Sequence, residues 1–566
     1  MKPANLVYGV EEQPPPMLTV VSAIQHVGVI AIFMIYPLII GRHAGIPADQ
    51  MANILRMSML ALAVATFLQA LSIGPVGSRF LAPSSFSGIY LGPSLLAVEL
   101  GGLPLVWGMT IFAGLTEIVL SRLWPRLRTF IPSETAGLIV FLVGVIVGLA
   151  ALRLLLGNAA AGSLAGSDGI VTGVMLAVMI ALNIWNKGRL RLFCILIGMI
   201  VGYVVSAATG LLTAADFHTV LNQPLIAAPT TAYLSWSFDP SMIVPFAVSG
   251  LAAAMSTTAV VTTYQKTTDA DWVRPDMASI KRGILGDGIA ASVAGLLGTY
   301  GLTVASTNVG LVAATGVASR RIAFVIAAIL YVVAFQPGLI GLLTIMPPPV
   351  MSAAMLFTSV FIMISGIQII SSRILDSRRT LVIGMAMMAF FVVSVFPAAF
   401  AGAPRWAQPL VGTPLVLATL VALVLNLVFR LGIRKTVAMS VDPATAYYEA
   451  VRNFIEHNSG IWGARRDVVN RVEFAVHQAI ETIIEYCQVN GPIELKIGYD
   501  EFDIDVSLSY VGAELELSDR MPSHDEILET PDSTRRLAGF LIKRQSDKVQ
   551  VTSGAGTARV RLHFRQ

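Results

Sequence analysis

Charge is what this chain has least of. Only 13% of its 566 residues are Asp, Glu, Lys or Arg, against 55% hydrophobic, and the mean hydropathy is +0.74. A soluble chain carries about 25% charged residues to cover its surface. A water-soluble globular protein is therefore excluded, and a polytopic membrane protein is expected. Two cysteines, Cys194 in an apolar run and Cys487 near the acidic end, exclude a disulfide framework. The sequence also lacks His/Cys metal spacing, a phosphate-binding glycine loop and a nucleophile elbow. Those absences argue against an enzyme and against a resident metal or cofactor. The opening MKPANLVYGVEEQPPPM has no basic n-region, and the apolar stretch after it is too long for a signal peptide, so no cleavage is expected.

What charge there is falls unevenly. Residues 1–435 hold 24 Lys and Arg against 14 Asp and Glu, while residues 436–566 hold 14 against 20. The two parts read as having different solvents: a cytoplasmic N-terminal segment 1–16, a membrane domain over 17–435 and a cytoplasmic domain over 436–566. Apolar runs long enough to cross about 30 Å of hydrocarbon lie near 17–41, 52–74, 103–121, 132–156, 169–186, 192–213, 240–263, 320–346, 348–370, 378–401 and 408–430. Three shorter, glycine-interrupted segments, 83–100, 283–300 and 302–315, bring the expected crossings to fourteen. With the N-terminus cytoplasmic, 20 basic residues fall inside and four (Arg42, Arg56, Arg153 and Arg405) outside. The positive-inside rule favours that orientation, with both termini cytoplasmic and the chain multi-pass in the inner membrane. The basic inner loops also suit contact with anionic lipid.

Fourteen divides into seven and seven, which inverts the second half. The third segment of each half is then an interrupted one: PSSFSGIYLGPSLLAVEL (83–100) and GLTVASTNVGLVAATG (301–316). Paired broken segments in inverted halves point to a transporter site near the midplane, because irregular backbone at that depth must be satisfied by protein or by a water-filled cavity. Each reads as an extended stretch leading into a half-helix whose free N–H groups face a ligand.

These residues resemble the nucleobase–ascorbate transporter family of xanthine, uracil and ascorbate permeases over roughly 17–430. SAIQHVGVIAIFMIYPLII carries a first-span Gln-His pair, Gln25 and His26; SSFSGI (84–89) is similar to the third-span strand; IPSETAGLIVFLVGVIVG (131–148) is similar to the opening of the fifth span. RGILGDGIAASVAGLLGTYG (282–301) matches the ninth-span Gly-Asp-Gly, and STNVGLVAATG (306–316) the signature with Asn308, Gly310 and Thr315. The resemblance implies two seven-span inverted repeats with short strands in segments 3 and 10. It implies a core (about 17–122 and 240–346) moving against a gate (about 131–213 and 348–430) in an elevator-like step. It also implies a homodimer, with substrate held between the third and tenth segments. The sequence departs from the family where a base-binding Glu is expected in the eighth span, here Ala253. It departs again at the acid or Gln before the signature Asn, here Thr307, and at the aromatic two residues earlier, here Ala305. Losing such groups leaves ligand polar atoms unpaired at about 1–3 kcal/mol each.

The remaining candidates for substrate binding are Ser85, Phe86 and Ser87, Ala253, Ser256 and Thr257, and Ser306, Thr307 and Asn308. Phe86 suits stacking on a planar ligand. Among ionisable groups only His26 and Asp287 are expected well inside the spans, where buried charge is costly and marks function. Asp287 is a candidate for a coupling proton, or for a cation site with hydroxyls from 256–258; its alternative is a structural carboxylate. His26, beside Gln25, is either a proton relay or a hydrogen-bonded His fixing the first span against the core.

From 444 the pattern turns soluble. Helices are expected through TAYYEAVRNFIEHNSG, DVVNRVEFAVHQAIETIIEYCQ and TRRLAGFLIKRQ, and strands in IELKIGYDEFDIDVSLSY, ELELSD and DKVQVTSGAGTARVRLHF. This α/β sandwich order resembles the ATPase-like fold of anti-sigma-factor and histidine kinases. EFAVHQAIETIIEY is similar to the N-box helix, but the Mg-binding Asn position is Thr482 and the Asp-x-Gly-x-Gly box is missing. The resemblance thus implies a pseudo-ATPase domain with a regulatory, dimer-supporting or protein-binding role.

The expected function is secondary active transport of a small polar solute, a nucleobase-like heterocycle or an organic anion, with H+ or Na+ coupling. No nucleic-acid partner is expected. Two alternatives stay open: a non-transporting membrane receptor that signals through the tail, and an uncoupled facilitator or anion channel.

Overall fold

The computed structural model describes the chain except residues 1, 5, 128–131, 157–165, 186–189, 191–192, 273–274, 372–374, 401, 405–406, 430–434, 463, 500–502, 519, 522–530, 555 and 566. Arg405, one of the four basic residues expected outside, thus lies outside the described residues. The chain forms two units, one of Met1–Ile370 with Ile383–Leu423, the other of Ser371–Val382 with Val424–Gln566.

The first unit is a helical membrane bundle. The elements of its first half are α1 (Pro16–Ala31), α2 (Ile35–His43), α3 (Ala48–Ala70), β1 (Ser84–Phe86), α4 (Leu91–Leu127), α5 (Ser133–Leu156), α6 (Gly166–Ile184), α7 (Cys194–Ala208) and the short α8 (Ala214–Leu221). Its second half runs α9 (Ile243–Thr268), α10 (Met277–Leu296), β2 (Leu302–Val304), α11 (Thr307–Thr315), α12 (Arg321–Ala334), α13 (Pro337–Thr344), α14 (Pro348–Ile370), α15 (Ser377–Val395), α16 (Gln408–Val411) and α17 (Pro414–Val428). Among the described residues eight helices are long and apolar enough to cross a membrane, or nine if α12 and α13, bent by 83°, form one broken span. Pro337 opens α13, where its fixed φ and missing N–H do no harm. The segments expected at 83–100 and 103–121 meet in α4, which is broken at Gly102, where φ is +69°.

Two helix pairs are packed through glycine. Along α4 and α10, a Cβ added at Gly114, Gly288 or Gly295 would stand 2.4–2.7 Å from the facing helix. Along α5 and α14, a Cβ at Gly137, Gly144 or Gly366 would stand 2.4–2.7 Å from backbone or side chain across the contact. In a bilayer, where lipid tails are as apolar as Leu, such close approach is what holds helices together.

The interrupted segments meet each other. β1 and β2 pair antiparallel, with Ser84 opposite Val304, Ser85 opposite Thr303 and Phe86 opposite Leu302. Each strand supplies the hydrogen bonds that the other's backbone would otherwise lack at bilayer depth.

The N-terminal segment is pinned to the end of α11. Val7 and Tyr8 donate their N–H groups to the Gly316 carbonyl, Ala318 N–H returns to Tyr8 O, and Arg320 forms an ion pair with Glu11 at 2.7 Å.

The second unit is an α/β sandwich. Strands β3 (Lys435–Val441), β4 (Ile493–Tyr499), β5 (Asp503–Val511), β6 (Lys548–Gly554) and β7 (Thr557–Arg565) form an antiparallel sheet in the order β3-β4-β5-β7-β6. Helices α18 (Tyr447–Trp462), α19 (Arg466–Tyr486) and α20 (Pro531–Gln545) accompany it. Alternate residues of β4 and β7, such as Leu495, Ile497, Val560 and Leu562, turn inward to one core with Val472, Val476 and Ile480 of α19. One strand was not foreseen and one expectation is corrected. Residues 435–441, not expected to be extended, form edge strand β3. The described part of ELELSD is not a strand. It runs against α20 instead, so closely that a Cβ at Gly539 would stand 2.7 Å from Glu516 O.

Candidate functional site

The paired strands end on a small cavity of about 50 Å³. Its walls have two characters. Tyr36, Ser85, Phe86, Ser87, Ser256, Thr303 and Ser306, from α2, β1, α9 and β2–α11, bring hydroxyls and rings. The part of the lining that α5 and α14 supply, Val140, Val143 and Ile362, is all aliphatic. Every polar group that could recognise a solute thus comes from the other elements.

Of the substrate-binding candidates, the cavity gathers Ser85, Phe86, Ser87, Ser256 and Ser306 and leaves Ala253, Thr257, Thr307 and Asn308 outside its wall. Phe86 is fully buried, in a tilted contact with Tyr300 at 6.1 Å between centroids. Tyr300 stacks in turn on Tyr36 at 5.9 Å. Ser87 is partly committed: its Oγ accepts from the Ile89 N–H at 3.3 Å, capping the turn into α4, and its carbonyl accepts from Tyr300 Oη at 2.7 Å. Ala253 is buried in α9. Thr307 Oγ1 and Asn308 Nδ2, in the first turn of α11, are buried with no hydrogen-bond partner.

The coupling candidates separate. His26 of α1 lies 2.6 Å, through Nδ1, from Asn308 Oδ1. The amide oxygen can only accept, so Nδ1 carries the proton. That bond ties α1 to α11, and Gln25 beside it is buried. Asp287 lies behind β2 rather than in the cavity wall: Thr257 of α9 and Thr303 of β2 each donate to its Oδ2 at 2.6 Å. Thr303 is therefore shared between the cavity and the carboxylate.

The expectation that only His26 and Asp287 are ionisable well inside the spans is corrected by Glu117, and Arg56 is a further buried ionisable group. Arg56 of α3 is buried, with Nε donating to Ala334 O at 3.1 Å and the guanidinium also bonded to Ala227 O. The Ala334 carbonyl is the last of α12, where a cation suits the helix dipole, and Ala227 lies between α8 and α9. Glu117 of α4 is fully buried, accepts from Tyr90 Oη at 2.7 Å, and lies within hydrogen-bonding reach of Asp287. Gly288 explains the encounter: its missing side chain lets α4 approach until a Cβ there would be 2.8 Å from Glu117 Cβ. A single Glu inside the 103–121 run was the available signal.

Comparison with known proteins finds a family and relatives for the chain. Residues 17–430 match the profile of the xanthine/uracil permease family, described as "Permease family". The chain is 29% identical to xanthine permease XanP of Escherichia coli over 445 residues, 75% of this chain and 95% of that one. It is 25% identical to uric acid permease PucK of Bacillus subtilis over 426 residues, 74% of this chain and 97% of that one. Among solved structures, the transmembrane domain of a cyanobacterial bicarbonate transporter, BicA, aligns with a TM-score of 0.43 at 14% identity, covering 72% of this chain and 96% of that one. The chain is a multi-pass membrane protein of the xanthine/uracil permease family, the nucleobase–ascorbate group, whose members are transporters rather than enzymes.

Proposed function

We propose that the protein is a secondary active transporter of a nucleobase-like heterocycle, held between the third, eighth and tenth membrane segments and moved by an elevator-type step. The carrying observation is the two-faced cavity. All recognising groups come from α2, β1, α9 and β2–α11, and what α5 and α14 contribute is aliphatic. A solute bound to the first set can slide along the second without exchanging hydrogen bonds. Ligand pockets usually measure about 300–1,000 Å³, so at 50 Å³ this site is contracted, and separation of the two sides is what would admit a heterocycle. Phe86 and Tyr36 offer it ring faces, and the serines offer donors and acceptors.

The fourteen-segment, inverted-repeat reading is supported by a symmetry of packing. Numbering segments along the chain, α3 packs on α12 (second on eleventh) and α10 on α4 (ninth on fourth), and each pair becomes the other when the halves are exchanged. The β1–β2 and α5–α14 pairs (third on tenth, fifth on twelfth) map onto themselves. The basic residues support cytoplasmic termini, and homodimerisation through the gate follows the family pattern. Asp287, linked to the cavity by Thr303, is the coupling residue of this reading, with H+ as the coupled ion.

The test is uptake into proteoliposomes. Wild-type protein should concentrate radiolabelled xanthine or urate under an inward proton gradient. Asp287→Asn should remain folded and lose concentrative uptake. Unaltered accumulation by Asp287→Asn would remove that residue from the coupling. Binding without flux in either direction would favour a receptor that reports through the second unit, and flux indifferent to proton and sodium gradients would favour a facilitator.

A further inference from the structure

Glu117 and Asp287 each satisfy one carboxyl oxygen and leave the other bare. Glu117 Oε1 accepts from Tyr90, and Asp287 Oδ2 accepts from Thr257 and Thr303. Glu117 Oε2 and Asp287 Oδ1 are both buried without a hydrogen-bond partner, although the Val304 amide also approaches Asp287. Both side chains are fully buried and within hydrogen-bonding reach of one another. Ionised carboxylates only accept, and two of them facing each other out of water repel strongly. Among the described residues no cation acts on either carboxyl. The groups that act on the two carboxyls are Tyr90 ahead of α4, Thr257 of α9, Thr303 and the Val304 amide of β2, while Tyr300 and the neutral Gln69 of α3 stand close by.

We propose that Glu117 and Asp287 hold one proton between them, and that this pair, not Asp287 alone, is the proton-exchanging element behind the cavity. One proton fills both vacancies. On Glu117 Oε2 it is donated to Asp287 Oδ1; on Asp287 Oδ1 it is donated back. Either way the pair carries one negative charge and every oxygen is bonded. Loss of that proton leaves two facing carboxylates, and gain of a second breaks the bond between them, since both bare oxygens then carry hydrogen. Each change pushes on Thr303, the residue shared with the cavity wall. Glu117 is a positioning residue: it acts on the solute through Asp287 and Thr303. Its link to transport rests on the transporter reading above, whereas the shared proton does not.

The test is infrared difference spectroscopy of the full chain in lipid vesicles at neutral pH, with folding checked by monodisperse size exclusion. Wild type should show a protonated-carboxyl C=O band that disappears in both Glu117→Gln and Asp287→Asn. A wild type without the band overturns the proposal. So does a band that survives Asp287→Asn, because the proton would then belong to Glu117 alone. Should a single carboxyl variant fail to fold, Tyr90→Phe retains both carboxyls and removes the Oη donor to Glu117, so the band should move to higher wavenumber; an unmoved band is again fatal. Replacing choline chloride with sodium chloride should leave the band intact, and its loss would make the pair a cation site. In calorimetry with xanthine as probe, the wild-type Kd should change with pH by up to about tenfold per unit, as linkage to one proton requires. Glu117→Gln should be flat, and a variant that keeps the wild-type slope contradicts the coupling. Wild-type protein that ignores xanthine would count against the substrate reading only, the infrared result still deciding the pair.

Discussion

The α5–α14 contact can be tested with one methyl group. At Gly366 of α14 an added Cβ would lie 2.4 Å from Phe141 N and 2.6 Å from Phe141 Cα, against an ordinary contact of at least 3.4 Å. The obstacle is helix backbone, which has no rotamer to yield, so Gly366→Ala should force the two helices apart by about 1 Å. Overpacking of that kind costs about 1–3 kcal/mol. Gly384 of α15 is the control, an exposed helical glycine with nothing within 4 Å of an added Cβ. There Ala should gain up to about 1 kcal/mol of helix propensity. The two variants are therefore predicted to differ by about 1–4 kcal/mol. Thermal unfolding of the purified full chain in detergent, followed by tryptophan fluorescence at one fixed scan rate, measures this. Gly366→Ala should melt below wild type, and Gly384→Ala at or above it. A Gly366→Ala protein as heat-resistant as Gly384→Ala would show that the helices do not touch there, and the rigid aliphatic wall inferred from their contact would go with it.

The His26–Asn308 bond should appear as coupling in a double-mutant cycle. His26→Leu and Asn308→Leu should each destabilise by about 1–3 kcal/mol, and the double variant by clearly less than the sum; strict additivity in melting measurements would deny the bond. In the second unit, His477 of α19 stacks on Tyr448 at 4.0 Å with neither ring nitrogen partnered, and burial pushes its pKa below the usual 6.5. The unfolded chain therefore binds a proton that the folded one refuses, so this unit should lose stability as pH falls below about 6.5. His477→Phe should blunt that loss, and hydrogen exchange across α19 at pH 5.5 and 7.5 in the full chain would reveal it. Equal protection changes in variant and wild type would rule out His477 as the cause.

Legibility in the sequence followed the range of each interaction. The two extended stretches were readable because SSFSG and LTVAS are short polar interruptions in otherwise apolar runs; that they pair with each other was not. Asp287 stood out as a lone acid between two glycines. What the motif was for did not, since the reason for Gly288 is the approach of α4, and that approach is fixed by Gly114 and Gly295 as well. The bond between His26 and Asn308 spans 282 residues, and no local pattern predicts it. Ser256 and Thr257 were both candidates for the solute and for a site with Asp287; one residue along a helix is about 100° of rotation, which turns Ser256 to the cavity and Thr257 to Asp287. ELELSD alternates as a strand should, but Gly539 opens a groove on α20 that receives it.

The docking of residues 7–11 on Gly316, Ala318 and Arg320 makes the start of the chain a rider on the half-helix that begins beside the cavity. In the elevator step proposed above, a dye attached near Lys2 would be carried with the solute, while one on the exposed face of α5 would stay with the wall. The distance between two such dyes would trace each stroke of the carrier from outside the bilayer, with no label near the site itself.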